Sequence, residues 1–492
     1  MPSGYGVAIS AILLAPRLLF ALQMDQSFHQ YLGWIITRKG LVAGLPYVGS
    51  FDQNFPGGAF IYALAIVLFG TSAFGFAVFD LIVQITTCWL IARLARKFDP
   101  LGVASLFAPI IYALTYIGLG VWDTGQRDCF VAPLLVLFAT IVLSDKPKWS
   151  YAGLLIGVML LIRPMIVLAG IPALWILLSS QRENKRKDFA VFAASSCALP
   201  ALVAFLYLFT SHLTQLYEAT ILFNLEVYSK YRAGVSLRGS GAMTYILLIG
   251  ILSLLLRRGD RKPLAFLFLL CFVAPLSTYI QGQGDAHHLV PTYAIAAVLA
   301  SVGLSNLVLL LRRHLEIVLC VAIIAVGASR LPWRLIVPWW QGASLESIYA
   351  MQTRGAMNLS DEMAAAQFIK QHSAPVDHIQ IFSMRIWPYV LSGREASSRF
   401  QSDEHLVMQP FDSIPLSGIQ VGWRKEFMHD MAAEPPRYVL ITNDDHIWTL
   451  PHGEPSTLQR KRFPEFDAWV SANYAIDTTI GSYEIYKRVN SL

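Results

Sequence analysis

Asp25 and His29 stand four residues apart in Met24-Asp25-Gln26-Ser27-Phe28-His29-Gln30-Tyr31, directly after the first apolar segment. On a helix that spacing puts both side chains on one face. A carboxylate held at the mouth of a cavity can remove a proton from a hydroxyl. The imidazole can orient that carboxylate or join it in holding a metal ion. A second acid, Asp52, follows in Phe51-Asp52-Gln53-Asn54-Phe55-Pro56-Gly57-Gly58. Farther along, Arg127 with Asp128, and Arg163, supply guanidinium groups, which grip phosphate oxygens well. His287 and His288 follow Asp285 and can meet an acceptor group or a metal ion. Acid, imidazole and guanidinium together suit a hydroxyl attacking a carbon that bears a phosphate leaving group.

Each of these residues also has a plainer reading. Asp is a favoured helix N-cap, and Asp25 sits where a helix over 26–39 would begin. Asp52 can be a turn residue ahead of Asn54 and Pro56. His29 can be a packing residue, Arg127 with Asp128 an interfacial ion pair, and His287-His288 a hydrogen-bonded turn. Residue types and spacing leave both readings open.

The elements that must position these groups follow from composition. The chain has 492 residues, is 55% hydrophobic and only 14% charged, with mean hydropathy +0.51. Soluble domains carry about 25% charge, so this is an integral membrane protein. Residues 1–340 hold 25 Lys/Arg and 14 Asp/Glu, and residues 341–492 hold 13 and 18. A basic apolar part thus precedes a mildly acidic polar one. The division predicts a membrane domain over 1–340, with a first outer loop at 24–71, and a separate domain over 341–492. The basic excess lies in short loops between apolar segments and does not indicate nucleic acid. The five cysteines lie in or beside apolar segments, which excludes a disulfide framework. The N-terminus lacks the basic region and cleavage site of a signal peptide, so the first span is expected to stay as an anchor.

Apolar runs predict about eleven spans, given that a bilayer needs about 20 residues per helix. They fall near 5–23, 72–94, 101–119, 129–144, 151–162, 165–180, 189–209, 241–256, 263–280, 289–311 and 315–335. With the N-terminus inside, alternate loops on the inner side hold 15 basic residues, and the outer loops before the tail hold seven. Positive charge marks the cytoplasmic side. The tail and Asp25 are then outside, and the mixed ionisable groups gather on that side. Residues 26–39 read as an amphipathic helix, with Phe28, Tyr31, Leu32, Ile35 and Ile36 on the face toward the membrane interface. The apolar run 57–70 is too short to cross. Arg17 and Asp80 each lie eight residues inside a span, about 12 Å deep at ~1.5 Å per residue, and are expected to pair.

The tail alternates helix and strand. Helices are expected from Asp361 to His372, with Ser360 as cap, from Trp423 to Met431, and from Phe466 to Tyr474. Strands are expected at 379–382, 437–442 and 483–486, giving a compact α/β domain. No Gly-rich phosphate loop follows a strand, so no nucleotide site is expected.

Several stretches resemble the C-type membrane glycosyltransferase superfamily. They are Asp25-Gln26 after the first span, Gly44-Leu45-Pro46-Tyr47, Asp52-Gln53-Asn54-Phe55-Pro56, and Phe69-Gly70-Thr71-Ser72 closing the apolar run. The nearest branch is the bacterial relatives of dolichyl-phosphate-mannose protein mannosyltransferases and of aminoarabinose transferase. Pro435-Pro436-Arg437-Tyr438-Val439 and the ending from Asn473-Tyr474 to Tyr486-Lys487-Arg488 resemble the outer domain of such proteins. The resemblance covers nearly the whole chain. It implies an inverting transfer of a sugar from a polyprenyl-phosphate donor to a hydroxyl of a lipid, glycan or protein. Asp25 would be the base, with Arg127 and Arg163 on the lipid phosphate. The family often has Asp-Glu where this chain has Asp25-Gln26, and Asp52 is the next acid able to compensate.

The expectation is therefore a polytopic α-helical membrane protein of the C-type glycosyltransferase fold with an extracytoplasmic α/β domain. It would work in the inner or plasma membrane, facing outward. His29, Asp52, Arg127, Asp128, Arg163, His287 and His288 are the expected substrate-binding groups. No cofactor is required, and a divalent metal ion stays open. The rival readings are a transporter of lipid-linked sugars, which needs polar residues down the middle of several spans, and a non-enzymatic envelope assembly protein.

Overall fold

A computed structural model describes residues 2–99, 102–181, 183–231, 261–282, 284–311, 325, 329, 331–352, 358–409, 415–446 and 450–489. Among them, four helices are long and apolar enough to cross a membrane: Ala73–Arg96, Lys185–Phe209, Lys262–Gln281 and Ala286–Asn306. The interrupted pair Gly4–Leu19 and Met24–Ala43 makes a fifth if it is one span. The chain is thus a helical membrane protein with several apolar spans. The expected spans at 101–119, 129–144, 151–162 and 165–180 appear as shorter apolar helices, Val103–Ile117 having 15 residues. One reason for their shortness is local. Arg163 leaves its helix in an extended conformation, as a residue before proline favours, and Pro164 opens a short 3-10 turn. The expected span at 241–256 lies outside the described residues, as do most of 315–335 and the loop residues Arg232 and Arg238.

The chain divides into two compact units. The first comprises Met1–Phe20, Ala77–Leu206 and Arg232–Trp340. Helix α1 (Pro2–Leu14) packs along the helix Val103–Ile117. Gly6 permits that approach, since a Cβ there would lie 2.7 Å from the Leu106 carbonyl oxygen. Arg17 and Asp80 do pair: Arg17 Nε lies 2.5 Å from Asp80 Oδ2, with both side chains buried. The carboxylate is further held by the Tyr116 hydroxyl, 2.7 and 2.9 Å from its two oxygens, and by Gln84 Nε2 at 2.9 Å. Tyr112 in turn donates to Gln84 Oε1 at 2.6 Å.

The second unit comprises Ala21–Phe76, Tyr207–Tyr231 and Gln341–Leu492. The first loop and the tail therefore share one packed body. Helix α2 (Met24–Ala43) lies against α3 (Gly57–Phe69), and a Cβ on Gly33 would come within 2.6 Å of the Ala63 nitrogen. The expected membrane-facing stripe of α2 is instead inside the protein. Phe28, Tyr31, Leu32, Ile35 and Ile36 are all buried, and the Tyr31 ring meets Tyr389 of the helix Trp387–Ser392 at 4.9 Å. Protein side chains offer a better-fitted apolar partner than an interface, and the only exposed stretch of α2 is its end, residues 37–43.

The tail holds a small mixed sheet. Strands β1 (Ile379–Phe382) and β2 (Tyr438–Thr442) are parallel, with Ile379 opposite Tyr438. Strand β4 (Tyr483–Arg488) runs antiparallel to β2, and β3 (Tyr474–Ile480) pairs on its other side, giving the order β1-β2-β4-β3. The expected strands are present, and β3 is an addition. The helix Leu359–His372 is capped by Asn358, whose side chain accepts from the Asp361 nitrogen at 3.3 Å, and not by Ser360.

Three buried carboxyls in the tail are held above the usual carboxylate range. Ser456 Oγ lies 2.6 Å from Asp403 Oδ2 and 2.5 Å from Asp445 Oδ2. A hydroxyl has one hydrogen to give, so one of these carboxyls must carry its own. Burial, with the neighbouring carboxylate, raises Asp403, and burial raises Asp445. Burial also pushes Glu362 up to about 8, against the pull of Arg385.

Removing one partner of the Arg17–Asp80 pair strands a buried charge, which costs about 3–5 kcal/mol. Asp80→Ala is expected to lower the thermal transition of the detergent-purified protein sharply, and Arg17→Met with Asp80→Leu to recover most of the loss. Equal transitions for Asp80→Ala and the wild type would show that the pair contributes little. The raised carboxyls make a second prediction. An unfolded Glu ionises near ~4.3, whereas folded Glu362 keeps its proton to about 8. Its contribution is complete below the unfolded value and is lost as pH rises to the folded one. Urea unfolding followed by limited proteolysis of the tail should give a lower midpoint at pH 8 than at pH 5, with a smaller difference in Glu362→Gln. A midpoint that rises toward pH 8 contradicts this.

Candidate active site

The start of α2 settles what Asp25 is not. Gln23 is the cap residue, with extended backbone, and its side-chain oxygen accepts from the Asp25 nitrogen at 2.7 Å. Gln26 reaches back so that its Oε1 accepts from the Gln23 nitrogen at 3.4 Å. The two glutamines form a reciprocal capping box. Asp25 follows in the first turn, half-buried, where the helix dipole favours a negative charge.

His29, one turn on, is buried and stacks on Tyr62 at 5.4 Å. Its Nδ1 lies 2.7 Å from the Asp25 carbonyl oxygen. A carbonyl only accepts, so Nδ1 carries the hydrogen. Nε2 faces Asp52 Oδ2 at 3.5 Å and has no hydrogen-bond partner among the described residues. Asp52 has two roles at once. Its Oδ1 accepts from the Asn54 nitrogen at 3.0 Å and from Asn54 Nδ2 at 2.9 Å, which is the expected turn, while Oδ2 looks at the imidazole. The structure thus brings Asp52 to His29, and His29 to the backbone of Asp25.

A second cluster lies in the other unit. The short turn Arg127–Phe130 and the break after Ile162 place Asp128 and Arg163 together, with the turn Ala286–Leu289 supplying two histidines. Asp128 Oδ1 receives Arg163 Nη1, and Asp128 Oδ2 lies 3.2 Å from His288 Nδ1. Arg163 also reaches Ser277 Oγ and Thr278 Oγ1 at 3.3 Å each, Gln281 Oε1 at 3.4 Å and the His288 carbonyl at 3.3 Å. Arg127 is looser, 3.8 Å from Asp128 and partly exposed. His287 Nδ1 lies 2.9 Å from Asp123 Oδ1, whose carboxylate also accepts from the His287 backbone nitrogen at 3.1 Å. Burial alone would raise the Asp128 carboxyl, but Arg163 and His288 outweigh it and hold it well below the usual carboxylate range.

Sequence reasoning named Asp128, Arg163, His287 and His288 but missed Asp123, although it stands five residues before Asp128 in the same polar loop. It also missed Gln23, whose spacing to Gln26 is the visible signal of a capping box, and Gln401 and His405, described below.

Asp128, His287 and His288 place one ligand atom each within 4.8 Å of one another, so the group could hold a metal ion. The donors do not fit one as they stand. Both Asp128 oxygens are already engaged, and the Arg163 guanidinium, 3.1 Å from His288 Nδ1, supplies the positive charge at that spot. A cation would have to displace it. Incubating the purified protein with EDTA is expected to leave its thermal transition unchanged. A lowered transition that zinc restores would show that the three residues bind metal.

Residues 53–208 match the family described as dolichyl-phosphate-mannose-protein mannosyltransferase. No functionally curated protein matches the chain in sequence. Among solved structures, ArnT from Cupriavidus metallidurans bound to undecaprenyl phosphate superposes with a TM-score of 0.58 at 11% identity, over 99% of this chain and 98% of that one. The same protein in its apo state gives 0.60 at 10% identity, over 98% and 97%. The resemblance read from the first loop is thereby met: the chain matches the mannosyltransferase family over 53–208 and has the ArnT fold over nearly its whole length.

Proposed function

We propose that the protein transfers a sugar from a polyprenyl-phosphate donor to an acceptor hydroxyl at the outer face of the membrane. The observation that carries this is the first turn of α2. Gln23 and Gln26 cap the helix, so the acid at position 25 is not needed for that task. The family match and the ArnT fold, which belongs to a protein solved with undecaprenyl phosphate, support the donor class.

In this reading Asp25 takes the proton of the acceptor hydroxyl as its oxygen bonds to the anomeric carbon. The bond from that carbon to the phosphate oxygen breaks, the electron pair leaves with the phosphate, and the anomeric centre inverts. His29 fixes the Asp25 backbone through its Nδ1 hydrogen, and Asp52 faces the other side of the imidazole. Arg127, the less engaged guanidinium, is the candidate for the lipid phosphate. Arg163 organises Asp128 and His288, with His287 on Asp123. Positive charge on the inner loops would put the N-terminus in the cytoplasm, and an odd number of spans, about eleven by the ~20-residue rule, would put the tail outside, where it selects the acceptor. The donor and the acceptor lipid, glycan or protein are the partners.

The test is sugar transfer by the purified full chain from undecaprenyl-phosphate mannose and undecaprenyl-phosphate aminoarabinose. A general base contributes about 10²–10⁴-fold, so Asp25→Asn should lose transfer by at least that lower figure. Gln26→Glu preserves the capping box and should transfer as the wild type does. Full activity in a folded Asp25→Asn protein removes the mechanism.

A further inference from the structure

The loop that carries Asp52 is held by residues from the far end of the chain. Gln401, buried, uses its whole carboxamide on the backbone of Phe51. Oε1 accepts from the Phe51 nitrogen at 2.8 Å, and Nε2 donates to the Phe51 carbonyl at 2.7 Å. The side chain does for Phe51 what a neighbouring strand would do. On the other side of Asp52, His405 Nε2 bonds Gln53 Oε1. Burial pushes the His405 imidazole down to about 3, so the ring is neutral. The amide oxygen only accepts, so Nε2 is the donor. Phe28, Phe51 and Phe223 surround the ring at 5.9, 4.7 and 5.5 Å. Gln420 Nε2 holds the His405 carbonyl at 3.1 Å, and Asn224 Nδ2 holds the Gln53 carbonyl at 2.8 Å.

Both residues flanking Asp52 are therefore fixed, one by its backbone and the other by its backbone and side chain. Asp52 itself is left to face His29, which is tied to Asp25. We propose that Gln401 and His405 are positioning residues for the transfer, setting Asp52 against His29 and so the geometry of the base. The proposal rests on the reading of Asp25 given above. It differs from simple docking of the tail, for which neighbouring contacts suffice. Arg399, for example, bonds the Tyr47 carbonyl at 2.8 Å and pairs with Glu426.

The experiment compares the wild type with Gln401→Leu, His405→Phe and His405→Gln in the full-length protein, using the two undecaprenyl-phosphate sugars named above. His405→Phe keeps an aromatic ring among its neighbours and loses the donor, whereas Gln places an N–H close to the lost Nε2. Misplacement of a catalytic group by about 1 Å costs about 100-fold. We therefore expect His405→Phe and Gln401→Leu to lower kcat by about tenfold or more, with donor KM and thermal transition little changed. His405→Gln should recover much of the loss. A docking role alone would lower the thermal transition in step with kcat and would not be rescued. The ¹⁵N-histidine spectrum, with His29 assigned from His29→Asn, gives a readout that needs no turnover. The His29 resonance should shift in His405→Phe and return in His405→Gln. If wild type shows no transfer, the proposed function fails while the spectrum still decides the clamp. If wild type is active and Asp25→Asn is not, an unmoved His29 resonance with unaltered kcat overturns the clamp alone.

Discussion

The first turn of a helix presents backbone N–H groups that its own carbonyls cannot reach. At α2 this constraint is met by Gln23 and Gln26, and that choice governs how the first loop is read. With the cap supplied two residues earlier, the acid at 25 sits at the positive end of the helix dipole without being its cap. The same interaction gives Gln26 its role. The Gln26 side chain is buried and turned back on the Gln23 backbone. A glutamate there could serve the box equally well. The amide at 26 thus has its place in the helix start, and the acid that faces His29 is Asp52, in the loop that follows.

A second constraint is the neutralisation of charge away from water. It has produced two hubs in the other unit. Asp80 is met by Arg17 and the Tyr116 hydroxyl, with Gln84 and Tyr112 behind them. Asp128 is met by Arg163 and His288. In each, the arginine brings rigidity as well as charge, because its planar fork fixes the direction of every bond. Arg163 is so fully engaged that a phosphate would have to compete with Asp128 for it. Arg127, 3.8 Å from Asp128 and partly exposed, is held less tightly. The hub around Arg163 ties together the turns Arg127–Phe130 and Ala286–Leu289 and the break after Ile162.

What was legible in the sequence divides along physical lines. The Arg17–Asp80 pair could be read because a charge within an apolar run leaves few alternatives to pairing. Strands β1, β2 and β4 announced themselves as runs such as Tyr438-Val439-Leu440-Ile441-Thr442, buried throughout. Strand β3 did not, because it is an edge strand with a largely exposed face and no continuous apolar run. The apolar stripe of α2 was visible, but its destination was not. A stripe that can rest on lipid can equally rest on protein, and Trp387–Ser392 lies some 350 positions away in the chain. Gln401 and His405 had no signal. Single polar residues in a loop acquire meaning only from the backbone they meet.

That destination also bears on how the acid-bearing loop can be stable. Residues 21–76 are few enough to bury only a modest share of their own surface. Their apolar side chains are buried in the same body as the tail. Full burial of a side chain such as Phe28, Leu32 or Ile35 contributes about 1.5–3 kcal/mol each, and α2 is covered by α3 and, in part, by residues beyond 340. Tyr31 adds a polar tie, its hydroxyl accepting from the Ala396 nitrogen at 3.2 Å, and Gln30 Oε1 accepts from Trp387 Nε1 at 2.7 Å. Arg38 and Lys39 extend the seam outward to Glu395 at 2.6 and 2.7 Å. The geometry of this loop therefore also depends on the residues beyond 340 that these bonds tie to it. The tail is accordingly part of the structure that holds Asp25, His29 and Asp52, whatever further part it has in choosing an acceptor.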